Sequence, residues 1–530
     1  MMKMRPSPFS RRAFLKAGTT AFAVGAVASA GAPARTFHLS AAGNDEASGL
    51  SPQRAWKTLD RVNRATFEPG DAVLLRSGDA WKGQLQLQGS GAEHKPVVLG
   101  RYGTGRLPVI DMGAAKGAAV RLENGSWWEI RELEVTSGAP ADPQMGRQGI
   151  VALATGDGKT TNIAIRNCYI HDVWGTLGGG GPLDGYNSAA IFVGRVQGDR
   201  VRTGAAENVT IEGNRIERVD RCGIIAWHGG KGVIIRGNRI DNLGGDAIFP
   251  EGCDGVLVER NVVTRSCLRT GDPDLTLAGR GYNPHSAAIW LQNLTGGIMQ
   301  FNEVYDTGRA KGNGDGEGYD FDFGCRDCIL QYNYSRNNHG LLLVMNRATG
   351  NTVRYNISEN DQTHLLALRS NLDDGNLIYN NVFYIDHGTA EIEMMDSREL
   401  KDKSKVGAPM RNNIFYATGQ GRFKVTYLAP TVADANPGDN RLFLDNCYYG
   451  PWLGDGPNDS NRESKTPDPR FAAPGEGGMG FDSLKGYQLR ADSPCLGRGM
   501  AIPKNGGRDF WGNPLPEGKV DIGAFQHREK

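Results

Sequence analysis

Ile211-Glu-Gly-Asn214-Arg-Ile216 and Ile235-Arg-Gly-Asn238-Arg-Ile240 are the stretches on which the fold turns. Each places an aliphatic residue, a turn ending in asparagine, and a second aliphatic residue at the same spacing. The form recurs in Ile165-Arg-Asn167-Cys-Tyr-Ile170, Val258-Glu-Arg-Asn261, Met299-Gln-Phe-Asn302 and Leu330-Gln-Tyr-Asn333. Val353-Arg-Tyr-Asn356 and Ile378-Tyr-Asn-Asn381 continue it, and Asn413 and Asn446 close it. From Asn167 the steps are 47, 24, 23, 41, 31, 23, 25, 32 and 33 residues. Short strands and turns repeating about every 24 residues describe the coils of a parallel β-helix. The asparagines are expected to stack inside one turn, their amides bonding coil to coil.

Composition agrees. Glycine makes up 74 of 530 residues, roughly double the usual share, with no Gly-X-Y period, so the glycines punctuate many turns. Hydrophobic residues at 39% are too many for a disordered chain. Beyond the N-terminus no apolar run reaches the roughly 18 residues of a membrane span. Ser10-Arg11-Arg12-Ala13-Phe14-Leu15-Lys16, followed by small and apolar residues from Ala17 to Ala30, resembles a twin-arginine export signal. Residues 1–34 hold five basic and no acidic side chains, so the mature chain has 55 basic against 59 acidic residues, a net charge of −4. That balance argues against nucleic acid and, once the signal is removed, against an anionic membrane as partner. The expected location is periplasmic or secreted.

The eight cysteines permit disulfides there, but Cys325-Arg326-Asp327-Cys328 lacks a second pair at zinc spacing, so buried thiols or one local bridge are expected. The expected organisation is a signal at 1–34, an N-terminal cap and first coils at 35–126, central coils at 127–450 and a C-terminal cap segment at 451–530. Ser51 as N-cap, Pro52 in the first turn, and Ala55, Leu59 and Val62 at helical spacing predict one short helix in the N-terminal cap. Strands are predicted at 72–75, 84–87 and 97–99.

Phe37-His-Leu-Ser-Ala-Ala-Gly-Asn44, Gly49-Leu-Ser-Pro52, Ala55-Trp-Lys-Thr-Leu59 and Pro69-Gly-Asp71 together resemble the N-terminal cap of secreted right-handed parallel β-helix proteins of the pectin-lyase-like superfamily. Ser493-Pro494, Asp509-Phe-Trp-Gly-Asn-Pro514 and Asp521-Ile-Gly-Ala-Phe525 are similar to a C-terminal segment that many of them carry. The resemblance implies an all-β fold, a right-handed parallel β-helix with a short capping helix and an irregular C-terminal cap. It implies a polysaccharide or oligosaccharide partner, and leaves open hydrolases, lyases, epimerases and non-catalytic tailspike or adhesin modules.

Stacking the segment after each Asn turn aligns Ile191, Ile224, Ile248, Ile289, Phe321, Leu342, Leu366 and Ile392 as inward residues. Residues on either side of these then point outward, because strand side chains alternate. The outward face is apolar and aromatic early on and turns acidic at Asp320 and Asp322. These two share a side, with Cβ atoms ~6.5–7 Å apart. A carboxylate pair beside aromatic platforms suits glycoside hydrolysis, which needs a proton donor and a base or nucleophile. Asp320 and Asp322 are thus the candidate catalytic pair, with Glu251 or Glu317 as substitute partner. Trp227 and Trp290 are candidate sugar platforms, Gln292 a neighbouring contact, and Arg369 a contact for a polar or anionic substituent. His285, His339, His364 and His387 precede aligned strands; His339 and His364 are further acid/base candidates and His285 a substrate contact.

Calcium is the one cofactor the acidic segments could take, the hydrolase reading itself needing none. Asn313 to Gly318, with Asp315, resembles half of a calcium loop, but the twelfth position would be Gly324. Glu391 and Glu393 are weakly similar to the alternating calcium-binding glutamates of β-helix lyases of the chondroitinase B and alginate lyase type. Arg398 stands where the resemblance implies a lysine base, with Lys401 and Lys403 nearby, and arginine is a poor base. A calcium-assisted uronate lyase and a non-catalytic binding module are therefore the alternatives to a hydrolase.

Overall fold

The computed structural model describes residues 33–528 except 139–145, 176–187, 196–203, 269–285, 310–314, 395–405, 428–441, 455, 458 and 460–466. Among the described residues the strands form three parallel sheets of 14, 13 and 13 strands. Each coil visits them in the same order. Ala72–Arg76 lies in sheet one, Ala80–Lys82 in sheet two and Leu85–Leu87 in sheet three, before Val97–Tyr102 returns to pair with Ala72–Arg76. The solenoid expected from the asparagine period is therefore present, and the three predicted early strands fall within one residue of their starts.

Inward aliphatics hold the coils together. Ile191 pairs with Ile224, Ile224 with Ile248, and Ile248 with Ile289, all fully buried. Burying each such side chain contributes about 1.5–3 kcal/mol. The polar partner to this column is the asparagine ladder between sheets one and two. Asn238 Oδ1 accepts from the Asn214 backbone N–H and side-chain amide, both at 3.0 Å, while Asn238 Nδ2 donates to Ile211 O at 3.0 Å. The arrangement repeats through Asn261, Asn302, Asn333, Asn356, Asn381 and Asn413 to Asn446. Asn167 is not a rung. Cys168 holds that place, donating its N–H to Asn214 Oδ1, and Asn167 sits one residue earlier in the left-handed turn (φ 53°).

The N-terminal helix divides in two. Pro52–Arg54 is a 3₁₀ turn and Leu59–Asn63 an α-helix, whose N-cap is Thr58, accepting from the Arg61 N–H. Between them Trp56 bridges to Leu39 of the first strand, and this pairing interrupts the helix. The C-terminal segment is irregular as expected, and it also runs back along sheet two. Tyr487 donates to buried Glu359 at 2.7 Å, the Gly480 N–H donates to Glu303 at 2.9 Å, and Asn380 Nδ2 reaches Asp521 O at 2.8 Å. It covers a stripe of tyrosines on that sheet, including Tyr305, Tyr334 and Tyr384. All eight cysteines are buried free thiols, and burial pushes those of Cys168, Cys253 and Cys267 up to about 12.

Candidate functional site

Asp320 lies in the strand Glu317–Phe321 of sheet three, between Trp290 on one side and Leu343 on the other. The residue aligned with Ile289 and Leu342 is Tyr319, not Phe321, so the expected register is two residues out at this coil. Because a shift of two preserves the face, Asp320 and Asp322 still point outward. Tyr319 fits the core because its hydroxyl reaches Asn302 O at 3.2 Å. The residues one before the aligned positions, Ala190, Ala247, Ala288, Leu341 and Leu365, belong to the core and not to the outer face.

A cavity of about 330 Å³ opens on this face, lined among others by Trp290, Gln292, Asp315, Asp320, Asp322 and Arg369. Asp320 is 3% exposed, and its Oδ1 has no hydrogen-bond partner among the described residues. Burial, then the charges of Asp322, Asp315 and Glu317, push its carboxyl well above the usual range against the pull of Arg369. Asp322 is raised only to about 6. Burial lifts it, while the Phe323 N–H and the Gln292 amide, which donates at 2.6 Å, stabilise its ionised form. Both carboxyls in the cavity are thus raised, and Asp322 is the one whose ionised form is hydrogen-bonded, an arrangement able to supply an acid and a base.

Asp315, expected as a metal ligand, is instead a third carboxylate on the wall of this cavity. Reading it as part of a calcium loop hid this; its position where the chain enters the Asp320 strand was the available signal. Leu343, Met345 and Phe323 also line the cavity without having been singled out. Trp290 stacks on Phe249 at 3.7 Å with an interplanar angle of 1°, and Trp227 meets Phe249 edge-on.

Trp227 and Glu251 are drawn into a different arrangement. Trp227 Nε1 donates to His228 Nε2 at 3.0 Å, and His228 Nδ1 lies 2.9 Å from Glu251 Oε2. Asn293 also donates to Glu251. Glu251 therefore holds Trp227 in place through His228, which the sequence reading passed over, and it does not line the Asp320 cavity.

Glu317, His364 and Glu393 form a buried bridge. Glu317 pairs with Gly340 and Gly340 with His364, and the absent side chain of Gly340 leaves room between them. His364 Nδ1 lies 2.7 Å from Glu317 Oε1 and its Nε2 3.3 Å from Glu393 Oε1. Burial alone lowers an imidazole pKa, but the Glu317 hydrogen bond and the two carboxylate charges outweigh it, so His364 is raised. These three were expected as catalytic or metal groups, and the bridge occupies all of them structurally. Their side chains are absent from the Asp320 cavity wall.

His339, expected beside the catalytic acids, lines a second cavity at the turn between sheets two and three, with His387. Glu391 pairs with Lys424 at 3.6 Å and accepts from Thr426. Among the described residues no three His, Cys, Asp or Glu side chains are placed to hold one metal ion, so the structure does not assemble the expected Asp315, Glu391 and Glu393 ligands. His285, Arg398, Lys401, Lys403 and the export signal through residue 32 lie outside the described residues. Among the described residues no helix is long and apolar enough to cross a membrane.

A family model described as "Right handed beta helix region" matches residues 114–280 and 201–383. The chain is similar to a lacto-N-biosidase from Bifidobacterium longum subsp. longum, at 26% identity covering 93% of this chain and 36% of the relative. It thus spans about a third of that curated relative's length. Among solved structures, a GH136 lacto-N-biosidase from Eubacterium ramulus superposes with a TM-score of 0.56 at 22% identity, covering 74% of this chain and 68% of the other. The native form of that enzyme gives the same TM-score at 21% identity.

Proposed function

The chain belongs to the right-handed β-helix family, and we propose that it uses this scaffold as an exported glycoside hydrolase acting on an oligosaccharide or polysaccharide. The observation that carries the reading is the pair Asp320 and Asp322 in one cavity, one carboxyl held far above its usual range and the other at about 6. Asp322, at about 6, is ionised near neutral pH, and Asp320, pushed well above its usual range by burial and its acidic neighbours, is the group assigned the proton. Asp320 donates its proton to the glycosidic oxygen as the bond to the anomeric carbon breaks. Asp322 faces the positive charge that develops on the sugar, as nucleophile or as base toward a water. Asp315 adds negative charge to the same cavity, and Arg369 keeps the cluster from being wholly protonated. Trp290 supplies an apolar wall for a sugar face.

The similarity to lacto-N-biosidases supports hydrolysis of an oligosaccharide. The Ser10 to Lys16 motif supports twin-arginine export to the periplasm or beyond. Incubation with neutral and acidic glycans, followed by product analysis, tests the reaction. Reducing sugars without an ultraviolet-absorbing double bond are expected, and Asp322→Asn is expected to lower kcat about 10²–10⁴-fold. An unsaturated product shows a lyase instead, and binding without turnover shows a carbohydrate-binding module. Full turnover in both Asp320→Asn and Asp322→Asn overturns the assignment.

A further inference from the structure

The second cavity is larger than the first, about 460 Å³, and lies at the turn between sheets two and three. Its lining comes from the turns of four successive coils: Thr307 and Arg309, then Asn337 to His339, then Asn360, Gln362 and Thr363, then His387. Two features set it apart from the Asp320 cavity. Among the described residues no carboxylate lines it, and no apolar side chain does. A cation has no ligand charge there, and an apolar ligand has nothing to displace water against. What the walls offer is hydrogen bonding of both signs, from amides, hydroxyls and imidazoles, with the Arg309 guanidinium as the one cation among the described lining residues.

The walls are braced from behind. Asn338 Oδ1 accepts from the Thr307 N–H and hydroxyl, each at 2.9 Å, and the Asn338 N–H donates to Asp361 Oδ1 at 2.9 Å. Asn338 Nδ2 is held by Val304 O at 3.0 Å and Ser335 Oγ at 2.8 Å. A cavity whose frame is fixed before a ligand arrives loses less entropy on binding. One group is left over. His339 Nε2 is buried without a hydrogen-bond partner among the described residues. Burial, then the nearby charge of His364, pushes that imidazole down to about 3, so it is neutral and can donate from one nitrogen and accept at the other.

We propose that this cavity is a second, non-catalytic saccharide site, which takes a neutral polyhydroxylated sugar unit through His339, Gln362 and Thr363. Sugar hydroxyls act as donors and acceptors together, which matches amide, hydroxyl and neutral imidazole walls better than it matches a carboxylate or phosphate, which only accepts. The volume falls within the usual range of small-ligand sites, roughly 300–1,000 Å³. The site flanks the catalytic cavity: Arg309 on its wall and Asp315 on the other's belong to one connecting segment six residues apart. The buried His364 bridge, with the His339 ring centroid 4.7 Å from that of His364, lies between the two.

The proposal rests on the carbohydrate reading above, and its test separates the two. Full-length Asp322→Asn protein, whose turnover is expected to be slow on the timescale of a titration, is titrated calorimetrically with a neutral tetrasaccharide. Two binding events per chain are expected. Adding Gln362→Ala and Thr363→Ala is expected to abolish one of them, and the same double change in the parent is expected to leave kcat on a disaccharide glycoside within twofold. A single event in Asp322→Asn, or two events surviving the double change, overturns the second site while leaving the hydrolase reading intact. Competition by inorganic sulfate, but by no neutral sugar, would also overturn it by showing an anion site. Failure of the parent to hydrolyse any glycan strikes the hydrolase reading, and the second site would then stand or fall by whether Gln362→Ala with Thr363→Ala abolishes one of two tetrasaccharide-binding events in the parent.

Discussion

The outer faces of sheets one and three share a backbone and differ in how they treat charge. On sheet one, Glu129, Arg166, Glu212, Arg236 and Glu259 alternate coil by coil, with N···O separations of 3.3–3.8 Å. Gln300, Gln331 and Arg354 extend the line by hydrogen bonds of 2.9 Å. On sheet three, Asp320 and Asp322 follow an aromatic column and stand together in a half-open cavity with Arg369 as the cation on its wall. Where charges are paired at every step the sheet is scaffold. Where carboxyls are buried together and kept above their usual pKa, folding energy is spent on proton affinity, the expected signature of a functional site.

The largest effect should come from the sheet-three acids. Asp320→Asn and Asp322→Asn are each expected to cut activity at least about 10²-fold, without loss of thermal stability, since each replaces a carboxyl whose charged form burial disfavours. A rise in stability would sharpen the contrast between faces, and a large fall would break it. Next is the ladder inside the solenoid. Asn261→Ala orphans the Asn238 N–H and the Ile235 carbonyl, and at about 1–3 kcal/mol for each stranded group the denaturant midpoint should fall well below wild type.

The His364 bridge gives a pH prediction. Its pKa is raised in the folded state, so its contribution is present below the unfolded pKa of ~6.5 and disappears as pH rises through the folded value. Wild-type stability should therefore fall as pH rises above ~6.5, and His364→Gln should flatten that slope; an unchanged slope would refute the bridge. The smallest effect should come from sheet one. Arg236→Gln is expected to cost under about 1 kcal/mol and to do so less at high salt, because its partners are partly exposed.

Most of the fold was legible because one residue type carried it. An asparagine in an inner turn has a fixed set of bonds to make, so one recurs in each coil from Asn214 to Asn446 even where coils lengthen. The first rung was misplaced because Asn167 is also an asparagine in that turn, in the left-handed position next to the ladder. The outward face of Asp320 and Asp322 was legible from alternation alone. The two-residue slip at Phe321 arose because a tyrosine was not expected inside, yet Tyr319 finds a carbonyl there. What stayed hidden depended on contacts between coils: Glu251 committed to His228, Glu317 and Glu393 committed to His364 across Gly340, and Asp315 turned toward its neighbours. Strand spacing cannot show the two histidine bridges, since each joins side chains from different coils.

The central claim is that Asp320 holds a proton while Asp322 has lost one. The pH dependence of kcat/KM on a glycan substrate measures this most directly. A bell is predicted, with an acid limb near pH 6 that disappears in Asp322→Asn and an alkaline limb that disappears in Asp320→Asn. Both limbs persisting in the residual activity of both variants would contradict the assignment.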